Sequence, residues 1–83
     1  MDNQKLSDRL SALAENGDNS LDVLIEIALF KPSRGWKFIR ANNAGTKLIY
    51  TDKHGEGHTY WAQDWSTLRN REKTISALQK EDL

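Results

Sequence analysis

The sequence predicts an α+β domain, a three-stranded antiparallel meander covered by helices in the order α-α-β-β-β-α. Three observations carry this. Apolar residues at helical spacing fill the first thirty positions. After Pro32 the pattern changes to short aromatic and β-branched runs separated by Asn- and Gly-containing turns, and a helical stripe returns near the C-terminus.

Leu6, Leu10, Leu13 and Ala14 form an i, i+4, i+7, i+8 stripe, opposed by Ser7, Asp8, Arg9 and Ser11, which predicts a short amphipathic helix. Asn16-Gly17-Asp18-Asn19 ends it, and Ser20 is placed to cap the next helix, Leu21 to Phe30, with Asp22 near the positive end of its dipole and Pro32 as a stop. That second helix is apolar around most of its circumference, with only Asp22 and Glu26 as a thin polar line. It therefore belongs in the centre of the core, with Leu24 and Ile25 both inaccessible to solvent. Three strands follow, Trp36 to Ala41, Thr46 to Thr51 and His58 to Ala62. Alternation places Trp36 and Phe38 on one face and Ile39 on the other, and Leu48 and Tyr50 opposite Ile49, so apolar side chains on both faces call for cover on both. The last helix starts between Ser66 and Asn70, runs to about Lys80, and buries Leu68, Ile75 and Leu78.

Eighty-three residues make one domain, read here as 1–83. Ten Leu, five Ile, two Phe and one Val make a small aliphatic core, and homo-oligomerisation that hides further apolar surface is a reasonable expectation for it. The absence of Cys excludes a disulfide framework or a Cys-based zinc site and fits a reducing cytoplasm. The N-terminus is neither a signal segment nor a membrane span, and the ten-residue run from Leu21 to Phe30 is too short to cross a bilayer.

Equal numbers of acids and bases conceal an asymmetry. Residues 1–30 carry a net charge of −4 and residues 31–83 a net of +4, and between 31 and 51 stand Lys31, Arg34, Lys37, Arg40 and Lys47 with no acid. The basic strands face either an anionic partner or the chain's own acidic helices.

Enzymatic constellations are poorly marked. His54-Gly55-Glu56-Gly57-His58 has a ligand-like composition, but two glycines in a hairpin turn do not converge two histidines as a helix would. The glycines read instead as suppliers of positive φ. No nucleophile motif or phosphate cradle accompanies His54, His58, Asp52 or Asp64, so the chain reads as non-enzymatic, with no catalytic residue, metal or cofactor assigned. Aromatics interleaved with bases, Trp36-Lys37-Phe38-Ile39-Arg40 and Tyr60-Trp61, keep nucleic acid open as an alternative partner, although a sheet covered on both faces leaves no stacking platform. At the exit from the third strand, Asp64, Trp65, Arg69 and Arg71 combine an aromatic, a carboxylate and two guanidiniums within eight residues, side chains of the kind that dominate protein interfaces. Together with Arg34, Lys37 and Arg40 they are the candidate partner-binding residues.

Arg9-Leu10-Ser11-Ala12-Leu13, the polar gap to Ser20, the run from Leu21 to Leu29, the Trp-led hairpin and the Tyr/Trp-rich third strand resemble the phage αβα ("ABA") sandwich domain of small bacteriophage and prophage proteins. The resemblance implies a sandwich fold and a phage origin. From the size of such proteins it implies an accessory role against a host protein or complex in the host cytoplasm, inhibition of a defence system (an anti-CRISPR, for example) being the specific version.

Overall fold

The computed structural model describes residues 2–81; Met1, Asp82 and Leu83, which the single-domain reading includes, lie outside them. The elements follow in the predicted order: α1 (Asn3–Ala12), α2 (Asn19–Leu29), β1 (Trp36–Ala41), β2 (Leu48–Asp52), β3 (Gly57–Tyr60) and α3 (Arg71–Glu81). The strands form one antiparallel sheet in the order β1-β2-β3. No helix among the described residues is long and apolar enough to cross a membrane.

Local chemistry sets the helix limits. The Asp2 side chain accepts from the Lys5 amide and opens α1. Asp18, rather than Ser20, caps α2: its carboxylate accepts the Ser20 amide at 3.0 Å, the Leu21 amide at 3.3 Å and the Ser20 hydroxyl at 2.7 Å, so Ser20 lies inside the helix. That hydroxyl is the largest influence holding the Asp18 carboxyl below its ordinary range. α3 begins only at Arg71, with the Asn70 carbonyl accepting the Thr74 amide. Leu68 therefore precedes the helix and is 62% exposed, instead of extending the buried stripe of Ile75 and Leu78.

Leu6 and Leu10 of α1, Leu21 and Ile25 of α2 and Leu78 of α3 form the main core cluster. Leu24, expected to be inaccessible, is only half-buried at its rim. Val23 and Leu48 are also buried but stand outside that cluster, on the side where the Phe30 ring meets Tyr50 edge-on at 6.3 Å. α2 is thus central as predicted, with α1 and α3 on one flank and the sheet on the other.

The sheet departs from expectation in two ways. First, the β1–β2 register shifts between Trp36 and Phe38, which makes Lys37 an extra residue and turns Trp36 to the face of Ile39 and Tyr50 while Phe38 points to the other. Trp36 consequently contacts Tyr50, His58 and Tyr60. Second, the helices cover one face only. The face of Leu48 and Tyr50 packs towards α2, whereas the face carrying Phe38, Arg40, Ile49, Thr51 and Thr59 has no helix over it among the described residues, and Phe38 is 53% exposed. The apolar residues there are too few and too interspersed with Arg and Thr to hold a second helical layer.

Candidate functional site

The predicted residues separate into three groups. Arg34 lies exposed before β1, Lys37 at the bulge, and Arg40 on the open face opposite Ile49. Beside the chain's exit from β3, Trp61 is 65% exposed, and the Lys47 ammonium lies 4.6 Å from its ring centroid. Phe38 and Arg40 stand on the face with no helix over it among the described residues, which removes the objection that both faces are covered.

Asp64 and Arg69 are exposed at the β3–α3 connection. They border two adjoining open clefts that share Asp64, Asn70 and Lys73. One, of about 340 Å³, reaches Trp65 and Thr74; the other, of about 450 Å³, reaches Asn16 and Arg69. The connection is held by its own polar bonds: the Asn70 side-chain amide donates to the Asp64 carbonyl at 2.7 Å and the Leu68 amide to Asn16 Oδ1 at 2.8 Å.

Trp65 and Arg71, expected to project towards a partner, are turned inward. The Trp65 indole N–H donates to Glu26 Oε1 at 2.9 Å and its ring packs against the core. The Arg71 guanidinium donates to the carbonyls of Leu13 (3.1 Å), Glu15 (2.8 Å) and Ser66 (2.9 Å), tying the α1–α2 turn to the start of α3. A cation in the first turn of a helix opposes the helix dipole, and these carbonyls offset that cost.

Asp22 and Glu26, expected to form a thin polar line along α2, are both buried, at 7% and 6% exposed. They dock the segment that leaves β3. Asp22 accepts the Ser66 amide at 2.7 Å, and Glu26 accepts the Gln63 amide at 2.8 Å, the Trp65 indole N–H and the Tyr50 hydroxyl. Burial pushes the Asp22 carboxyl above its ordinary range against the Ser66 bonds that lower it, and burial, reinforced by Glu26, pushes the Tyr50 phenol up as well. An acid in an otherwise apolar, central helix requires buried donors, and that requirement was the available clue.

No family model, curated protein or solved structure matches this chain.

At the β2–β3 turn, Asp52 accepts the amides of His54 (2.8 Å) and Glu56 (3.0 Å), while His58 Nε2 lies 2.9 Å from its other oxygen. The His58 bond first, and then the turn amides, bring the Asp52 carboxyl down to about 2. Asp52, Glu56 and His58 offer donor atoms within 4.8 Å of one another and are the residues that could hold a metal ion. His54 stands outside this group, and the direct His58–Asp52 contact accounts for its closeness. Gly55 has φ +85° and supplies the turn as expected; Gly57 serves differently, because a Cβ there would come within 3.1 Å of Ile49 Cγ2.

Proposed function

We propose that this chain is a non-enzymatic binding domain that engages a partner protein through the open face of its sheet, with Asp64 and Arg69 of the β3–α3 connection as a second contact. The supporting observation is the exposure of Phe38 (53%), with Arg40 on the same face and Lys37 at the bulge, on a sheet face with no helix over it among the described residues, together with the exposure of Trp61 (65%) where the chain leaves β3. Large aromatics with arginines at the margin are the residues that supply most of the energy of protein interfaces, and most of the apolar side chains elsewhere are committed to the core. The resemblance to small phage sandwich proteins makes a host protein or complex, and a defence system in particular, the partner of choice. A second copy of the chain is the homo-oligomeric version of the same contact.

Nucleic acid is the second reading, favoured by the Lys47–Trp61 pair and by Arg40 and Phe38 on an uncovered sheet, an arrangement that can stack bases and follow phosphates. One experiment separates the two. The wild-type chain and a Phe38→Ala/Trp61→Ala variant of equal melting temperature are used to capture proteins from host lysate, and both are titrated with labelled single-stranded oligonucleotides at low and high salt. The expected result is a set of proteins lost at least tenfold with the double variant, as removal of two interface anchors implies, with no saturable oligonucleotide binding. Identical captured proteins with both chains would overturn the protein reading. Oligonucleotide affinity that falls steeply with salt, and is abolished by reversing Arg34, Lys37 and Arg40 to Glu, would establish the second in its place.

A further inference from the structure

On the helix-covered side of the sheet, an open cleft of about 280 Å³ lies among Glu26, Trp36, Tyr50, Tyr60, Trp61 and Gln63. Its position is set by the bulge at Lys37, which brings Trp36 to the face of Tyr50, and by the register that places Tyr60 opposite Leu48 on that same face. The three rings are mutual neighbours with centroids 5.2 Å (Trp36–Tyr50), 5.6 Å (Tyr50–Tyr60) and 6.1 Å (Trp36–Tyr60) apart, and their planes cross at 57–75°, so they present tilted walls rather than a closed stack. Tyr60 remains 48% exposed, which leaves the cleft accessible.

Glu26 gives this cleft its electrostatic character. Its side chain is buried, it accepts from three neutral donors, and it takes part in none of the ion pairs among the described residues. Aromatic faces are negative, so rings and carboxylate together attract a cation from solvent, and the Lys47 ammonium over Trp61 shows the same attraction at the margin. The kind of cation follows from hydrogen-bond accounting. A primary ammonium brings three N–H donors that need acceptors on desolvation. Here three of the roughly four acceptor positions of the carboxylate are already used, by Tyr50, Gln63 and Trp65. An N-alkylated ammonium carries its charge without that demand. We propose that the cleft binds a trimethylammonium-type group, the chemistry shared by choline headgroups and trimethylated lysine side chains. Apart from Trp61, which also serves in the proposed partner contact, it lies across the sheet from Phe38 and Arg40, and it does not rest on that reading.

The test is a titration of the folded chain, followed by Trp fluorescence and amide chemical shifts, with choline, with a trimethyllysine peptide, and with 3,3-dimethylbutan-1-ol, the uncharged isostere of choline. The expected result is saturable binding of the charged ligands that shifts the Trp36 and Tyr60 signals and is roughly tenfold or more tighter than that of the isostere. Tighter binding of the peptide assigns the group to a protein ligand; tighter binding of choline assigns it to a headgroup. Tyr60→Ala, at a half-exposed position where the fold should persist, is expected to weaken binding by a similar factor, and Glu26→Gln to erase the preference for charge. Equal binding of choline and its isostere, undiminished binding by Tyr60→Ala, or no saturable shift with either charged ligand would overturn the proposal.

Discussion

Ile25→Ala is expected to destabilise the domain by about 2–5 kcal/mol, the range for removing a fully buried aliphatic side chain. Ile25 is fully buried and joins Leu6, Leu10, Leu21 and Leu78, so it touches the contributions of all three helices at once. A domain of this size has roughly 5–15 kcal/mol in total. The loss should appear as a fall in melting temperature of roughly 10–30 °C. Leu24→Ala, on the same helix but half-buried, is the internal comparison and should cost clearly less. Equal effects at the two positions would mean that α2 is oriented differently about its axis.

Glu26→Ala is expected to have an effect of the same order by a different mechanism. The substitution strands the Tyr50 hydroxyl, the Gln63 amide and the Trp65 indole N–H, which all donate to this one carboxylate. Each buried donor left without an acceptor costs about 1–3 kcal/mol, less where water can reach it. Tyr50 and Trp65 are only partly buried, which places the total at roughly 3–5 kcal/mol. Glu26→Gln retains one carbonyl oxygen as acceptor and should lose less. Denaturant unfolding of the three proteins measures both numbers, and the β3–α3 connection should show the largest gain in amide exchange in Glu26→Ala. A neutral Glu26→Ala would show that α2 does not hold that connection.

The pattern of apolar residues was enough to define the element order, the centrality of α2 and the two hairpins, because helical and strand periodicities differ and the Gly- and Asn-containing turns separate them. Three features depended on long-range information. The bulge at Lys37 reverses Trp36 relative to Phe38, and nothing in Trp36-Lys37-Phe38 distinguishes an ordinary strand from one with an extra residue. The single covering layer is another: apolar side chains on both faces of a short sheet do not by themselves require two layers, and Phe38 is exposed. The inward turn of Arg71 depends on the carbonyls of Leu13 and Glu15, more than fifty residues away in sequence. At the candidate site, Arg34, Lys37, Arg40, Asp64 and Arg69 were legible as exposed polar positions, whereas Glu26, Tyr50 and Tyr60, which form a cleft only through register and bulge, were not.

The reading of this chain as a binding domain depends most on one face of the sheet being open to solvent. Paramagnetic relaxation by a neutral, freely diffusing gadolinium chelate measures that directly in the dilute protein. Phe38, Arg40 and Thr59, on the open face, should relax strongly, while Leu48 on the opposite face and Val23 of α2 should be protected. If Phe38 and Thr59 were as protected as Leu48, the face would be covered by the chain itself or by a second copy, and it would not be available to a partner.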